Sequence, residues 1–451
     1  MVGRVVSRVL TAVMVVTLMG AMMGPAHAQV ILRDADIEHA LRELARPVIN
    51  AAGLSASRLQ ILIIKNDKMN AFVADADHVF IHSGLLLRLK DPAELQAVIA
   101  HELAHIANGH LARRAANYRS ARNAAALGTI LAGVAAAAGG GEAAAGLAIG
   151  VQSSAQRRFF AHTRAEEASA DQSALRYMAA NGIDPGAMGD VLELFRGQEV
   201  LSVGRQDPYA LTHPLSRERI RAVEGYAVAA QDRLQDRPDD MYWFTRAQGK
   251  LEAFLRAPSV TLRKVGRKAG QGDITARMRR AIAWHRSPKP QKAIAEITAL
   301  VAARPNDPYL AELKGQILLE SRQFNAAVQA YGKAAALAPR DALVLGGYGR
   351  ALLAVNTPDN NRRALDVLRK AYARDPFSPQ MLRDLGLAHA RAGQKGMAAL
   401  VTAERYALIG RLKDAVPHAK RAEGLLPRGS AGWTRAQDIL YAATAAAKQR
   451  R

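Results

Sequence analysis

Cysteine is absent from all 451 residues. Disulfides, thiolate metal ligands and a cysteine nucleophile are therefore excluded. Acidic residues are scarce beside basic ones, 40 Asp and Glu against 62 Lys and Arg, for a formal net charge of +22. Such a balance suits nucleic acid, anionic lipid or acidic partners. Basic runs interleaved with aromatics are also lacking, the arginines being spread along helical stretches. The charge reads as a solvated basic surface, natural near an anionic membrane, and nucleic acid is not an expected partner.

Long uncharged runs occur in two places. Residues 9–23 follow Arg4 and Arg8 and precede Pro25-Ala26-His27-Ala28-Gln29. A charged start, an apolar stretch and an Ala-x-Ala site predict a secretory signal peptide over 1–28, with Gln29 as the mature start; an uncleaved anchor is the alternative. Residues 123–141 are uncharged and of spanning length, but they are built of Ala and Gly and broken by Gly139-Gly140-Gly141. Two short packed helices with a glycine hinge are expected there, a mobile lid near a site, with membrane contact of 123–152 as the alternative.

What the chain does have is His101-Glu102-Leu103-Ala104-His105. Histidines four apart lie one turn above each other on a helix and can grip one zinc ion. Glu102 is then placed to accept a proton from water. Asp91-Pro92-Ala93-Glu94 supplies an N-cap, a first-turn proline and a Glu at the third helical position. Leu95, Val98, Ile99, Leu103 and Ile106 follow at spacings of three and four, predicting one buried face. On so apolar a helix, two His and a Glu would be costly without a partner, which favours a metal over a chance pentapeptide. His110 lies about 140° round a continuous helix from His105 and reads as a polar neighbour.

Ahead of this helix, residues 34–52 carry Ile37, Leu41, Leu44 and Val48 on one stripe. Residues 59–64, 70–74 and 78–82 read as short strands, the last two turning at Asp75-Ala76-Asp77. Such a sheet beside the metal helix offers an edge to an extended peptide. His78 and His82 read as exposed strand residues rather than ligands.

A catalytic zinc needs a third protein ligand. Thr163-Arg164-Ala165-Glu166 is a capping box that occupies Glu166 and leaves Glu167 free, with Asp171 on the same face. Glu167 as ligand and Asp171 as acceptor for a ligand histidine's other N–H form a complete arrangement. A capped surface helix with two spare acids is the alternative. Gly at 108 and His at 111, which a metzincin would need, are replaced by Asn108 and Leu111, so that class is rejected.

The C-terminal part repeats. Pro305, Pro339, Pro376 and Pro427 follow Ala293, Ala327, Ala364 and Ala415 by twelve residues, and Gly315, Gly349 and Gly386 follow the first three prolines by ten. The interval from Pro305 to Pro339 is the 34-residue tetratricopeptide (TPR) period. Such repeats stack into a solenoid with a face for partners. The interval from Pro376 to Pro427 implies a half-repeat offset near 406–410, and 433–447 is expected to close the array. Residues 230–267, with Trp243 and Phe254, are expected to bridge and pack on both parts.

His101-Glu102-x-x-His105 with Arg164-x-x-Glu167-x-x-Ala170-Asp171 resembles the HtpX and CAAX-prenyl-protease family of zinc metallopeptidases, in its secreted branch with a C-terminal TPR domain. Asn70-Ala71-Phe72, Thr212-His213-Pro214-Leu215 with Arg219-Ile220, and residues 403–412 match the same pattern; Ser169 departs from it at a position that is not a ligand. The resemblance implies His101, His105 and Glu167 as zinc ligands, Glu102 as general base, Asp171 as the outer partner and His213 as a regulatory fourth ligand. It implies a mainly α chain: an α+β zincin-like metallopeptidase domain with a small β-sheet (29–230), a helical bridge (231–275) and an α-helical TPR solenoid (276–451). It also implies a periplasmic location and unfolded or misassembled envelope proteins as substrates. The outer-membrane β-barrel assembly machinery would be a partner through the TPR face. A TPR chaperone or adaptor with a structural or latent metal site is the competing expectation.

Overall fold

The computed structural model describes residues 30–113, 164–198, 207–266 and 273–449. The expected signal peptide, the 123–152 stretch and the Thr163 cap lie outside them.

The first unit builds a layer of helices on one face of a small mixed sheet. Helix α1 (Ala35–Ala51) is capped by Asp34, whose side chain accepts from the Asp36 and Ile37 amides, and its Ile37, Leu41, Leu44 and Val48 stripe is buried. The sheet runs in the order β1 (Ile31–Leu32), β2 (Gln60–Ile64), β4 (His78–His82), β3 (Ala71–Val73). Strands β2 and β4 are parallel, with Ile61 opposite Val79 and Ile63 opposite Ile81, while β1 and β3 flank them antiparallel. Strand alternation sends Ile61, Ile63, Ala71, Val79 and Ile81 into the helical core. The two-residue β1 is too short to show a period and was not anticipated.

After α2 (Ser83–Arg88) comes α3 (Pro92–Ala107), which runs through the centre of the unit. Asp91 caps it through the Ala93 amide, but Glu94 accepts from the Lys90 amide at 2.6 Å instead of closing a box on Asp91. The expected single buried face is exceeded: every residue from Glu94 to His105 is buried. Helices α4 (164–180), α5 (Gly186–Glu193), α6 (Pro208–Thr212) and α7 (Arg217–Ala230) pack around it.

Helix α8 (Pro238–Leu255) leads to α9 (Pro258–Val265) and the repeats. These comprise α10 (Ile274–Arg286), α11 (Pro290–Ala303), α12 (Pro308–Glu320), α13 (Phe324–Leu337), α14 (Ala342–Val355) and α15 (Pro358–Arg374). They continue with α16 (Pro379–Arg391), α17 (Lys395–Leu408), α18 (Leu412–Leu425) and α19 (Ala431–Gln449). The chain is a mainly α protein whose peptidase-like unit is followed by a helical solenoid. Small residues set the packing distance: a Cβ on Gly315 would meet Tyr331 at 2.5 Å, and one on Gly349 would collide with Leu368. Among the described residues no helix is long and apolar enough to cross a membrane.

The two units are joined by buried charge. Arg246, on α8, donates to Asp36 Oδ1 at 2.6 Å and to both oxygens of Asp307 at 2.6 and 3.0 Å. Lys250, one turn on and fully buried, lies 2.8 Å from Asp34 Oδ1 and 3.9 Å from Glu312 Oε2. Burial alone would raise the Asp36 carboxyl, but Arg246 and Lys250 hold it below the usual range. Glu312 goes the other way: burial, with Asp34 and Asp36 nearby, outweighs Lys250 and pushes it up to about 8. A carboxyl raised on folding stabilises the fold below its unfolded value, and that contribution is lost as pH climbs through the folded one. Glu312→Gln is therefore expected to gain thermal stability over the parent as pH rises from about 5 to about 9. A melting-temperature difference that is flat over that range would contradict it.

Candidate metal centre

His101 and His105 project from one face of α3, and both are buried. Asn108 at its C-cap donates to Ser169 Oγ and Ser173 Oγ at 3.1 and 3.2 Å, which docks α4 alongside. That docking brings Glu167 and Asp171 to the histidines. His213 enters from the end of α6, its ring 4.5 Å from that of Tyr209, which stacks in turn on Phe195.

Four side chains, His101, His105, Glu167 and His213, each turn one ligand atom into a common space. His101 Nε2 lies 3.1 Å from His105 Nε2, 3.2 Å from Glu167 Oε2 and 3.2 Å from His213 Nδ1. Glu167 Oε2 is 2.9 Å from His213 Nδ1, and Oε1 is 3.4 Å from His105 Nε2. Ligands about 2.0 Å from a tetrahedral ion lie about 3.3 Å from one another. A single proton satisfies only one of these approaches, whereas a cation at their centre satisfies all of them. Three imidazole nitrogens and a carboxylate oxygen suit zinc.

The surroundings orient the set. His101 Nδ1 lies 2.9 Å from Asp171 Oδ1, and Asp171 is clamped by the Arg219 guanidinium at 2.6 and 2.8 Å. Arg219, in the first turn of α7 behind its Ser216 cap, also donates to the Pro214 carbonyl at 2.9 Å. Burial would lower the His101 imidazole, but its bonds to Asp171 and Glu167 push it up to about 10. Burial would raise the Glu167 carboxyl, but His213 and His101 hold it well below the carboxylate range. Asp171 is likewise lowered, its bonds to His101 and Arg219 overcoming burial.

Glu102 is fully buried beside the set, and neither of its oxygens accepts a hydrogen bond. Its Oε1 lies 3.4 Å from His213 Nε2. His213 thus faces the ligand cluster with one ring nitrogen and Glu102 with the other.

Of the sequence candidates, His101, Glu102, His105, Glu167, Asp171 and His213 come together. His78 pairs with Asp75, and His82, expected to be exposed, is buried with Nδ1 on the Lys68 carbonyl at 3.3 Å, because the β3 side of its strand is covered. Pro214 lies ahead of α7, which starts at Arg217. His110 stands outside the cluster, yet its Nδ1 lies 2.9 Å from His105 Nδ1. It is thus the polar neighbour expected, brought close because Gly109, at φ +70°, ends the turn and redirects the chain. The roles of Arg219 and Tyr209 were also missed, although both flank the His-Pro segment.

A family model for Peptidase family M48 matches residues 32–227. The "Beta-barrel assembly-enhancing protease" of Escherichia coli K12 is 24% identical over 416 residues, 89% of this chain and 81% of that one. The "Mitochondrial metalloendopeptidase OMA1" of Schizosaccharomyces pombe is 30% identical over 188 residues, 41% of this chain and 51% of that one. The solved structure of a MamA RS-1 mutant is 22% identical with a TM-score of 0.32, over 38% of this chain and 94% of that one.

Proposed function

With residues 32–227 a Peptidase family M48 domain, we propose that the chain is an exported zinc endopeptidase that acts on unfolded or misassembled envelope proteins. His101, His105 and Glu167 would hold the ion, Asp171 would fix the His101 tautomer, and Glu102 would be the general base. The observation that carries this reading is the convergence of four ligand atoms beside a buried carboxylate that makes no hydrogen bond.

When bound, zinc supplies Lewis acidity, drawing the pKa of water down towards about 7 and polarising a peptide carbonyl. Glu102 takes the proton of the attacking water and returns it to the departing amine. The β3 edge, next to α3, would align an extended substrate by main-chain pairing. Strand alternation then presents every second substrate side chain to the protein.

The name of the Escherichia coli relative supports a role in outer-membrane β-barrel assembly, with the solenoid docking that machinery. Export would follow from residues 1–28 and place the chain in the periplasm, and 123–152 would supply any peripheral membrane contact. The division into 29–230, 231–275 and 276–451 belongs to the same proposal.

One observation favours the competing reading of an adaptor with a structural ion: His213 offers a fourth ligand atom to the cluster, and structural zinc sites have four protein ligands. A structural site has no use for Glu102, however, so His213 is better read as a regulatory ligand that must leave. His213→Ala is accordingly expected to raise cleavage of an unfolded protein by at least about tenfold if the closed form dominates. Unchanged or lower activity with metal still bound would remove the regulatory role. For the function as a whole, the purified chain should contain about one zinc, and a chelator should abolish cleavage until zinc is restored. Chelator-insensitive cleavage, or a zinc-loaded chain that never cleaves, would overturn it.

A further inference from the structure

The solenoid changes its packing rule near its end. Helix α12 packs on α14 and α14 on α16, but the next such pair is α17 with α19, not α16 with α18. The half-repeat offset thus leaves α16 and α18 standing apart over α17. A groove of about 880 Å³ lies between them. Ala398, Ala399 and Thr402 of α17 line it, with Gly386 and Leu387 on one wall and Arg421 and Leu425 on the other. Packing is looser here than in the earlier repeats: a Cβ on Gly386 would first meet Thr402 Oγ1 at 3.4 Å.

Two features define what would fill it. Leu387 and Leu425 are 44% and 52% exposed, one on each wall, so an apolar stripe laid along α17 would cover both. The charged residues lining the groove are Lys395, Lys420 and Arg421, with His418 beside them and no carboxylate among them. Elsewhere in the solenoid cations are commonly paired, as Arg277 and Arg280 are with Glu296 and Arg350 is with Asp384. The gap has helices for walls and floor and no strand edge, so its shape calls for a helix laid in a groove.

We propose that the groove between α16 and α18 is a docking site for an acidic amphipathic helix of a partner protein. The proposal rests on the reading of the solenoid as a docking module and gives it a location and a ligand chemistry.

The test uses the full chain and labelled synthetic helices of about 18 residues with leucines at i, i+3, i+4 and i+7. One has a glutamate-rich polar face, a second a lysine-rich face and a third a neutral face. By fluorescence anisotropy near physiological salt, the acidic helix should bind, and K420E/R421E and L425D should each weaken it at least tenfold. R362E/K370E, the same charge change on α15, should not. Melting curves of the variants establish that these exposed substitutions leave the fold intact. Equal weakening by R362E/K370E would mean unspecific charge attraction and overturn the site. Acidic-helix binding that K420E/R421E and L425D leave unchanged would overturn the groove while sparing the docking reading. Failure of all three helices to bind would overturn both. Self-association of the parent chain that L425D abolishes would assign the groove to a second copy and overturn the proposed partner.

Discussion

Glu102→Gln should bind zinc as the parent does and lose cleavage of an unfolded protein by roughly a thousandfold, within the range expected for removing a general base. The two halves of this result separate because Glu102 is not one of the four clustered ligand residues. Its oxygens accept no hydrogen bond, so the amide breaks no native bond to the fold. What it removes is the carboxylate that faces His213 Nε2, Glu167 facing the other ring nitrogen. Metal content by mass spectrometry and kcat/KM on the same preparation decide the matter. Full activity in the variant would sink the mechanism, and loss of metal together with activity would make Glu102 a structural residue.

The second large effect is on stability. Arg246→Ala should destabilise the chain by about 3–5 kcal/mol, the cost of removing one partner from a buried ion pair. The guanidinium is 2% exposed and bridges α1 to α12, so its removal leaves Asp36 buried with Lys250 as its remaining cationic partner and Asp307 without its bidentate clamp. Arg246→Lys should recover only part of the loss, since an ammonium cannot reproduce the fork. Denaturant unfolding measures both. A loss below about 1 kcal/mol would show that the junction is held by apolar packing instead, through His39 between Trp243 and Tyr309.

The parts of the fold that were legible are those whose cause is local. Asp91 announces a helix start because a cap is made within three residues, and the Ala–Pro and Pro–Gly intervals announce repeats because they recur at the same spacing. The candidate site was legible in part for the same reason: His101 and His105 share one turn, and Glu167 and Asp171 share another. Partners set by the meeting of distant segments left no comparable mark. Arg219 reaches Asp171 across 48 positions, and Arg246 reaches Asp36 across 210. The open groove was hidden by a change in which helices pack, which the Pro376–Pro427 interval signals only as an irregular spacing.

Arg219 has a consequence for how opening and metal retention are related. One guanidinium holds the carboxylate behind His101 and the carbonyl of Pro214, next to His213. If His101 and His213 hold the proposed ion, whatever pulls the 213–214 segment away loads the same guanidinium and so disturbs the anchor of a ligand. By reciprocity of coupled equilibria, a chain that held that ion more tightly would also hold this segment closed more tightly. Opening wide enough to admit a substrate would then be self-limiting, since the widest excursions are those in which the ion is least firmly kept.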